Sequence, residues 1–293
     1  MAKLELPQSY DAGRYQTSLK AEARVFAAVA RRELTIFLRY PSWVIAVLIW
    51  PLIFPAVYIL SAKALAGPDE SALVLFQQVA GTEDYIGYIA IGTTIWMWQN
   101  MVLWNIGFTL RNEQLRGTLE SNWMSPAWRF SLLLGNGFID LITTIVFLSV
   151  TAIEFGLFFG VRFNGSIPLV LLVLLAAVPS IYGLGFAFAS LVITAKDASS
   201  FVFLVRGLVM IFAGITYPII LMPAWMQEVA RWIPATYVIH ALRGAALAGA
   251  SFQELLPDII PLLLFGLFWM VAGYIVFLLM ENRARKKGSL GQF

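Results

Sequence analysis

Long, nearly charge-free apolar runs alternate with short polar breaks along this chain. Several runs exceed the roughly 20 residues that a helix needs to cross the hydrocarbon core of a bilayer. Six spans are predicted: Trp43 to Ala62, Tyr85 to Leu110, Phe130 to Val161, Pro168 to Thr194, Ser199 to Leu221 and Ile259 to Met280. The second, third and fourth exceed the minimum, so they are expected to tilt, kink or project into water. Pro51, Pro55 and Pro179 fall inside spans, where neighbouring helices satisfy the carbonyls that proline frees. The pattern divides the chain into a cytoplasmic tail over 1–42, a six-span domain over 43–280 and a basic tail over 281–293.

Before the first span the period changes. Leu19, Val25, Phe26, Val29, Ile36 and Phe37 fall on one side of a helix, with Lys20, Arg24, Arg31 and Arg32 mostly on the other. That is the pattern of a helix lying in the membrane interface, its basic residues near lipid headgroups. Glu22 and Glu33 fall on the apolar side, which lipid burial does not explain and a protein partner would.

Composition agrees with a membrane protein: 60% of the 293 residues are hydrophobic and 13% charged, where soluble domains carry about a quarter charged. Fifteen of the 20 Lys and Arg lie in the segments that are cytoplasmic if the N-terminus is inside. Lys63, Arg162, Arg231 and Arg243 lie in outer segments, and Arg206 lies inside span five. The bias predicts an N-in, C-in orientation; the expected location is a bacterial or archaeal plasma membrane. The first 42 residues are polar and charged, so the first span is expected to direct insertion itself. With no cysteine, and His240 as the single histidine, the chain offers no thiol nucleophile, zinc-thiolate site or ordinary Ser-His-Asp triad. A net charge of +3 is too small to argue for nucleic acid.

One polar run stands between two apolar walls: "RNEQLRGTLESNWMSPAWR", Arg111 to Arg129. Gly117-Thr118 can break one helix and cap the next, and Ser125-Pro126 suits a helix start. A short amphipathic helix is predicted from Thr118 to about Trp123, parallel to the membrane, with Trp123, Met124 and Trp128 toward it. The order of residues, an acidic Glu113, then Gly117-Thr118-Leu119-Glu120, then Ser125-Pro126, resembles the coupling-helix region of ABC-2 type permeases. A second stretch, Ala213 to Leu247, is similar to that family's late segment: Pro218, Met222-Pro223-Ala224-Trp225, Trp232-Ile233-Pro234-Ala235-Thr236-Tyr237 and Leu242-Arg243-Gly244. The family commonly has Asn where this chain has Ile233. The resemblance covers roughly residues 20 to 283.

The resemblance implies an all-α fold of six transmembrane helices, with an N-terminal interfacial helix, a cytoplasmic coupling helix and outer re-entrant helices. It implies a permease subunit of an ATP-driven exporter and a separate ATP-binding subunit docking from the cytoplasm. Glu113, Gly117, Thr118, Glu120 and Pro126, with Glu22 and Glu33 on the N-terminal helix, are the expected contacts to it. ATP and Mg would be bound by that partner, since none of the six lysines here follows a glycine as a phosphate loop requires. No internal repeat is evident, so a second permease subunit, identical or not, is expected to complete the route.

Cargo contacts are sought in span two, "TTIWMWQNMVLWN". Trp96, Gln99, Asn100 and Trp104 offer indoles and amides near mid-membrane, and Asn100 is expected to face the route between Trp96 and Trp104. Phe212 and Tyr217 are expected to form an outer gate, and Asp140 is expected to pair with Arg206 in the inner half of the membrane. His240 is expected to be a hydrogen-bonded interfacial residue. The cargo class is amphipathic or hydrophobic: a drug, a lipid or a lipid-linked glycan. Two rival classes fit the sequence less well. An ion-gradient transporter would need more intramembrane carboxylates. A lipid-modifying enzyme would need a carboxylate cluster, and only Asp69, Glu70, Glu83 and Asp84 crowd together, in "GPDE" and "GTED" turns.

Overall fold

A computed structural model of the chain describes residues 19–66, 71–80, 82, 84–124, 128–192 and 199–287. The described residues are built of helices joined by turns. The amphipathic tail forms α1 (Leu19–Arg39), and a single residue then separates it from α2 (Pro41–Ala66). There follow α3 (Ser71–Ala80), α4 (Tyr85–Asn105), α5 (Thr109–Leu115), α6 (Leu119–Met124), α7 (Phe130–Phe159), α8 (Ile167–Val192) and α9 (Ser199–Phe212). The last part holds α10 (Ala224–Ala230), α11 (Pro234–Arg243) and α12 (Phe252–Lys287).

Four helices, α2, α7, α8 and α12, are long and apolar enough to cross a membrane. Their outward faces expose Ile45, Ile145, Leu157, Leu175 and Leu267, a surface that suits lipid and not water. Lipid chains supply no hydrophobic drive between helices, so contact depends on close packing of small residues. The tightest pair, α8 with α12, shows this: a Cβ at Gly183 would stand 2.6 Å from the Met270 nitrogen. α1 packs on α7 by the same means, with Val29 against Gly135 and Phe26 tilted on Phe138 at 5.3 Å.

The predicted spans two and five differ from what is observed. α4 ends at Asn105, and residues 106–108 turn before α5, so 85–110 is not one helix. Its Trp, Gln, Asn, Thr and Gly residues dilute its hydropathy because 14 of its 21 residues are buried among other helices. α9 has 14 residues, about 21 Å of helix, short of the roughly 30 Å hydrocarbon core. It stops at Phe212; Gly214 turns with φ +68°, and a short 3-10 turn follows at Ile219–Leu221. α12 begins earlier than the predicted span six and carries Pro257 and Pro261 within it. α3 was not expected from the sequence. Asp69, Glu70 and Glu83 lie outside the described residues, while Asp84 caps α4, its carboxylate accepting from the Gly87 amide at 2.8 Å.

Candidate functional site

The polar run folds into α5 and α6, hinged at Gly117. Gly117 adopts φ +70°, a left-handed conformation that costs L-residues with a Cβ. The Gly117 amide bonds the Gln114 carbonyl, and the Thr118 amide the Glu113 carbonyl, each at 3.0 Å. This is a Schellman closure, which satisfies the carbonyls left over at the end of a helix. α6 then runs back with Leu119 and Trp123 buried, and Leu115, Arg116, Gly117, Thr118, Glu120, Ser121 and Met124 exposed. Trp123 was expected to face the membrane; it packs instead beside Phe277 of α12, with ring centroids 6.2 Å apart. Met124 and Trp128 are exposed.

Glu113 organises this tip from inside. Its side chain is 3% exposed. One carboxylate oxygen accepts from the Thr118 hydroxyl at 2.6 Å and the Asn122 amide at 2.8 Å. The other lies 2.8 Å from Nη2 of Arg32, which also stands 2.7 Å from Glu33. Burial opposes the Arg32 charge, but Glu113 and Glu33 outweigh it and hold the guanidinium above its ordinary pKa. Glu113 therefore ties α5, α6 and α1 together and is not a surface contact. Its four-residue separation from Gly117 placed it at the end of α5, but its burial depends on Arg32, 81 positions earlier, which no local pattern indicates.

The other expected contacts divide. Glu120 is exposed on α6. Thr118 gives its hydroxyl to Glu113 and does not cap α6 with it. Pro126 lies outside the described residues. Glu22 is turned inward, accepting from the Trp128 amide and the Ser131 hydroxyl, each at 3.0 Å, at the start of α7. Glu33 accepts from Arg32. Arg129 adds a second clasp, donating to the Trp123 carbonyl at 3.0 Å and to Glu281 of α12 at 2.6 Å. A polar tip thus stands on three helices, with its acidic residues mostly committed internally and Glu120 outward.

Phe54, Tyr58, Trp96, Met210, Ile211, Ile215, Thr216 and Tyr217 line a partly open cavity of about 210 Å³ between α2, α4 and the end of α9. Trp96 stacks on Phe54 at 4.8 Å. Of the residues expected to face cargo, Trp96 and Tyr217 line this cavity; Gln99, Asn100, Trp104 and Phe212 do not. Gln99 is buried, and Asn100 turns its amide back to the Trp96 carbonyl at 2.8 Å. Trp104 stacks on Phe108 and meets Phe203 edge-on at 5.7 Å, while Phe212 packs against Trp225 at 6.0 Å.

The expected Asp140–Arg206 ion pair does not form. Asp140 is buried and accepts from Asn105 at 2.6 Å and from the Tyr182 hydroxyl at 2.7 Å, joining α7 to α4 and α8. Arg206 lies on the far side of α4, its guanidinium 4.5 Å over the Trp96 ring and its carbonyl accepting the Trp96 indole N–H at 3.2 Å. Asn105 and Tyr182 supply what a carboxylate needs, two donors, so the cation is released from that duty.

Arg243, in the late motif, proves structural. Its guanidinium donates to the carbonyls of Tyr88 at 2.9 Å, Gly214 at 2.9 Å and Ile215 at 2.7 Å, and lies 3.3 Å from the centre of the Tyr88 ring. These carbonyls include those that the break after α9 leaves without helical partners. Gly92 permits the approach, since a Cβ there would stand 2.1 Å from the Ile215 oxygen. A signal existed in the sequence: Thr236, Ile239 and Arg243 share one face of α11, and the first two are buried. His240 bonds Asp258 of α12 at 2.6 Å.

Four long apolar helices, a polar tip clasped by an amphipathic N-terminal helix and a helix broken after Phe212 define a multi-pass helical membrane protein. A family model described as "ABC-2 family transporter protein" matches residues 62–275. The chain belongs to the ABC-2 family and is a multi-pass membrane protein of the plasma membrane. It is 28% identical over 160 residues to the probable doxorubicin resistance ABC transporter permease protein DrrC of Mycobacterium tuberculosis, in strains CDC 1551 / Oshkosh and ATCC 25618 / H37Rv, covering 52% of this chain and 55% of theirs. The chain thus spans about half the length of the curated relatives it matches.

Proposed function

We propose that this chain is the transmembrane subunit of an ABC exporter, converting ATP hydrolysis in a separate subunit into outward movement of amphipathic or hydrophobic cargo. In this reading six segments cross the membrane: α2, α4, α7, α8, α9 with the turn that follows it, and α12. The N- and C-termini are cytoplasmic, α10 and α11 are re-entrant from outside, and residues 43–280 form the permease domain. A second permease subunit closes the route, and the cavity beside Trp96 belongs to that route. The ATP and Mg are held by the partner. The relatives' printed name, an ABC permease of doxorubicin resistance, is consistent with amphipathic cargo.

The observation that carries the proposal is the buried Glu113 clasp. A solvated loop has no need of a buried carboxylate that ties it to two other elements, whereas a handle that transmits force must be stiff. The clasp makes α5, α6 and α1 move together and leaves Gly117 and Glu120 on the exposed surface of the tip for a soluble partner. Glu120→Arg tests it. Being exposed, this change should alter stability by no more than about 0.5 kcal/mol, yet abolish cargo-stimulated ATPase activity and transport in vesicles containing the co-purified ATP-binding chain. Normal transport with normal stimulation would remove the coupling role from this tip.

A further inference from the structure

Arg206 has no partner for its charge among the described residues. It sits seven positions into α9, an apolar helix, half-buried and without a carboxylate or hydrogen-bond acceptor for its guanidinium. An ionisable side chain at such depth is retained for a reason, because its transfer into hydrocarbon is costly unless something compensates the charge. The Trp96 face, 4.5 Å away, offers partial compensation by cation–π attraction but leaves the N–H donors unused. No aspartate or glutamate occurs on α2, α4 or α9, the three helices around the cavity. A second copy meeting the first across these helices would bring another Arg206 and no carboxylate from them.

The cavity completes the picture. Met210, one turn beyond Arg206 on α9, lines it, as does the indole beneath the guanidinium. Beyond them the lining is almost wholly aromatic and aliphatic, with Tyr58, Thr216 and Tyr217 as its hydroxyl-bearing members. An apolar chamber with one uncompensated, fork-shaped donor at its edge is complementary to a molecule with an apolar body and an anionic head.

From this juxtaposition we propose that Arg206 and the Trp96 cavity form a binding site for an anionic amphiphile, with a phosphate or carboxylate head on Arg206 and an apolar body against Phe54, Trp96 and Met210. The proposal rests on the reading of this cavity as part of the transport route. The same chemistry is carried by an anionic membrane lipid resident in the site and by an anionic cargo passing through it.

The natural absence of cysteine makes a clean reporter possible. In the full-length chain in neutral detergent, Met210→Cys is labelled with a maleimide in the presence of dodecyl phosphate, dodecyltrimethylammonium or inorganic phosphate. Dodecyl phosphate should slow labelling, and the concentration for half-protection should rise at least about tenfold when Arg206→Gln is added, the worth of a lost charge-assisted hydrogen bond. Arg206→Lys, which keeps the charge, should stay closer to the parent, and inorganic phosphate alone should not protect. Native mass spectrometry separates the two sources. A co-purifying anionic phospholipid lost in Arg206→Gln identifies a resident lipid; dodecyl phosphate protection without one identifies cargo chemistry. Equal protection by the cationic detergent, or protection indifferent to Arg206→Gln, overturns the anionic preference while leaving the cavity on the route. Protection by inorganic phosphate alone overturns the amphiphile. Protection by none of the three overturns both the site and the route reading beneath it.

Discussion

Glu113→Ala should loosen the polar tip without unfolding the bundle, and the structure sets the scale. The side chain is 3% exposed and serves Thr118, Asn122 and Arg32. Hydrogen bonds to a charged group contribute about 1.5–3 kcal/mol each, and they are not additive. Removing one partner of a buried ion pair costs about 3–5 kcal/mol. Arg32 remains 36% exposed, so water recovers much of its charge, and Thr118 is exposed as well. The lower end applies, about 3 kcal/mol of local stability. Glu113→Gln keeps the shape and one accepting oxygen but loses the ion pair, for about 1–2 kcal/mol. The assay is amide hydrogen exchange followed by mass spectrometry, because the loss is local and a global melt would dilute it. About 3 kcal/mol corresponds to roughly 150-fold faster exchange in peptides covering 109–124, while peptides from α8 and α12 should be unchanged. Exchange at 109–124 equal to that of the parent would refute the clasp. Equal acceleration in α8 would show that Glu113 supports the whole bundle and not the tip.

Two further outcomes are expected. Asp140 and Arg206 share no contact, so the stability effects of Asp140→Asn and Arg206→Gln should add within about 0.5 kcal/mol, whereas Asp140→Asn and Tyr182→Phe should couple by more than that, read from melting of the four variants of each cycle. The His240–Asp258 pair should give a pH signature: the hydrogen bond to Asp258 raises the His240 imidazole above its ordinary value, with burial and the Arg243 charge opposing. A raised pKa means that the stabilisation is complete below the unfolded value of about 6.5 and is lost as pH rises through the higher folded value. Melting temperature should therefore fall on that rise by no more than about 4 °C, and Asp258→Asn should flatten the curve. A slope unchanged in that variant would assign it to other groups.

What the sequence determines here is what lipid and water select position by position. Apolar runs longer than a bilayer, the amphipathic period of α1 and the turn residues around Gly117 are local properties. The helices α1, α2, α7 and α8 accordingly lie within a few residues of where the pattern put them. The identity of the polar run as a distinct structural unit was legible for the same reason. Partnership was not. Glu113 and Arg32 are 81 residues apart, Glu22 and Ser131 are 109 apart, and Asp140 found Asn105 and Tyr182 where charge alone pointed to Arg206. Charge complementarity proposes pairs, but in a bundle the facing of each helix decides which donors arrive first, and a buried carboxylate is as well served by an amide and a phenol as by a guanidinium. The break after α9 is a similar case. Its hydropathy reads as continuous through Leu221, yet Gly214 turns the chain because Arg243, reaching over from α11, can receive the carbonyls that the turn sets free. Composition chose the solvent for each segment; only the packed structure chose each polar group's partner, because an unpaired polar atom is costly in the interior and the supply of partners depends on the tertiary arrangement.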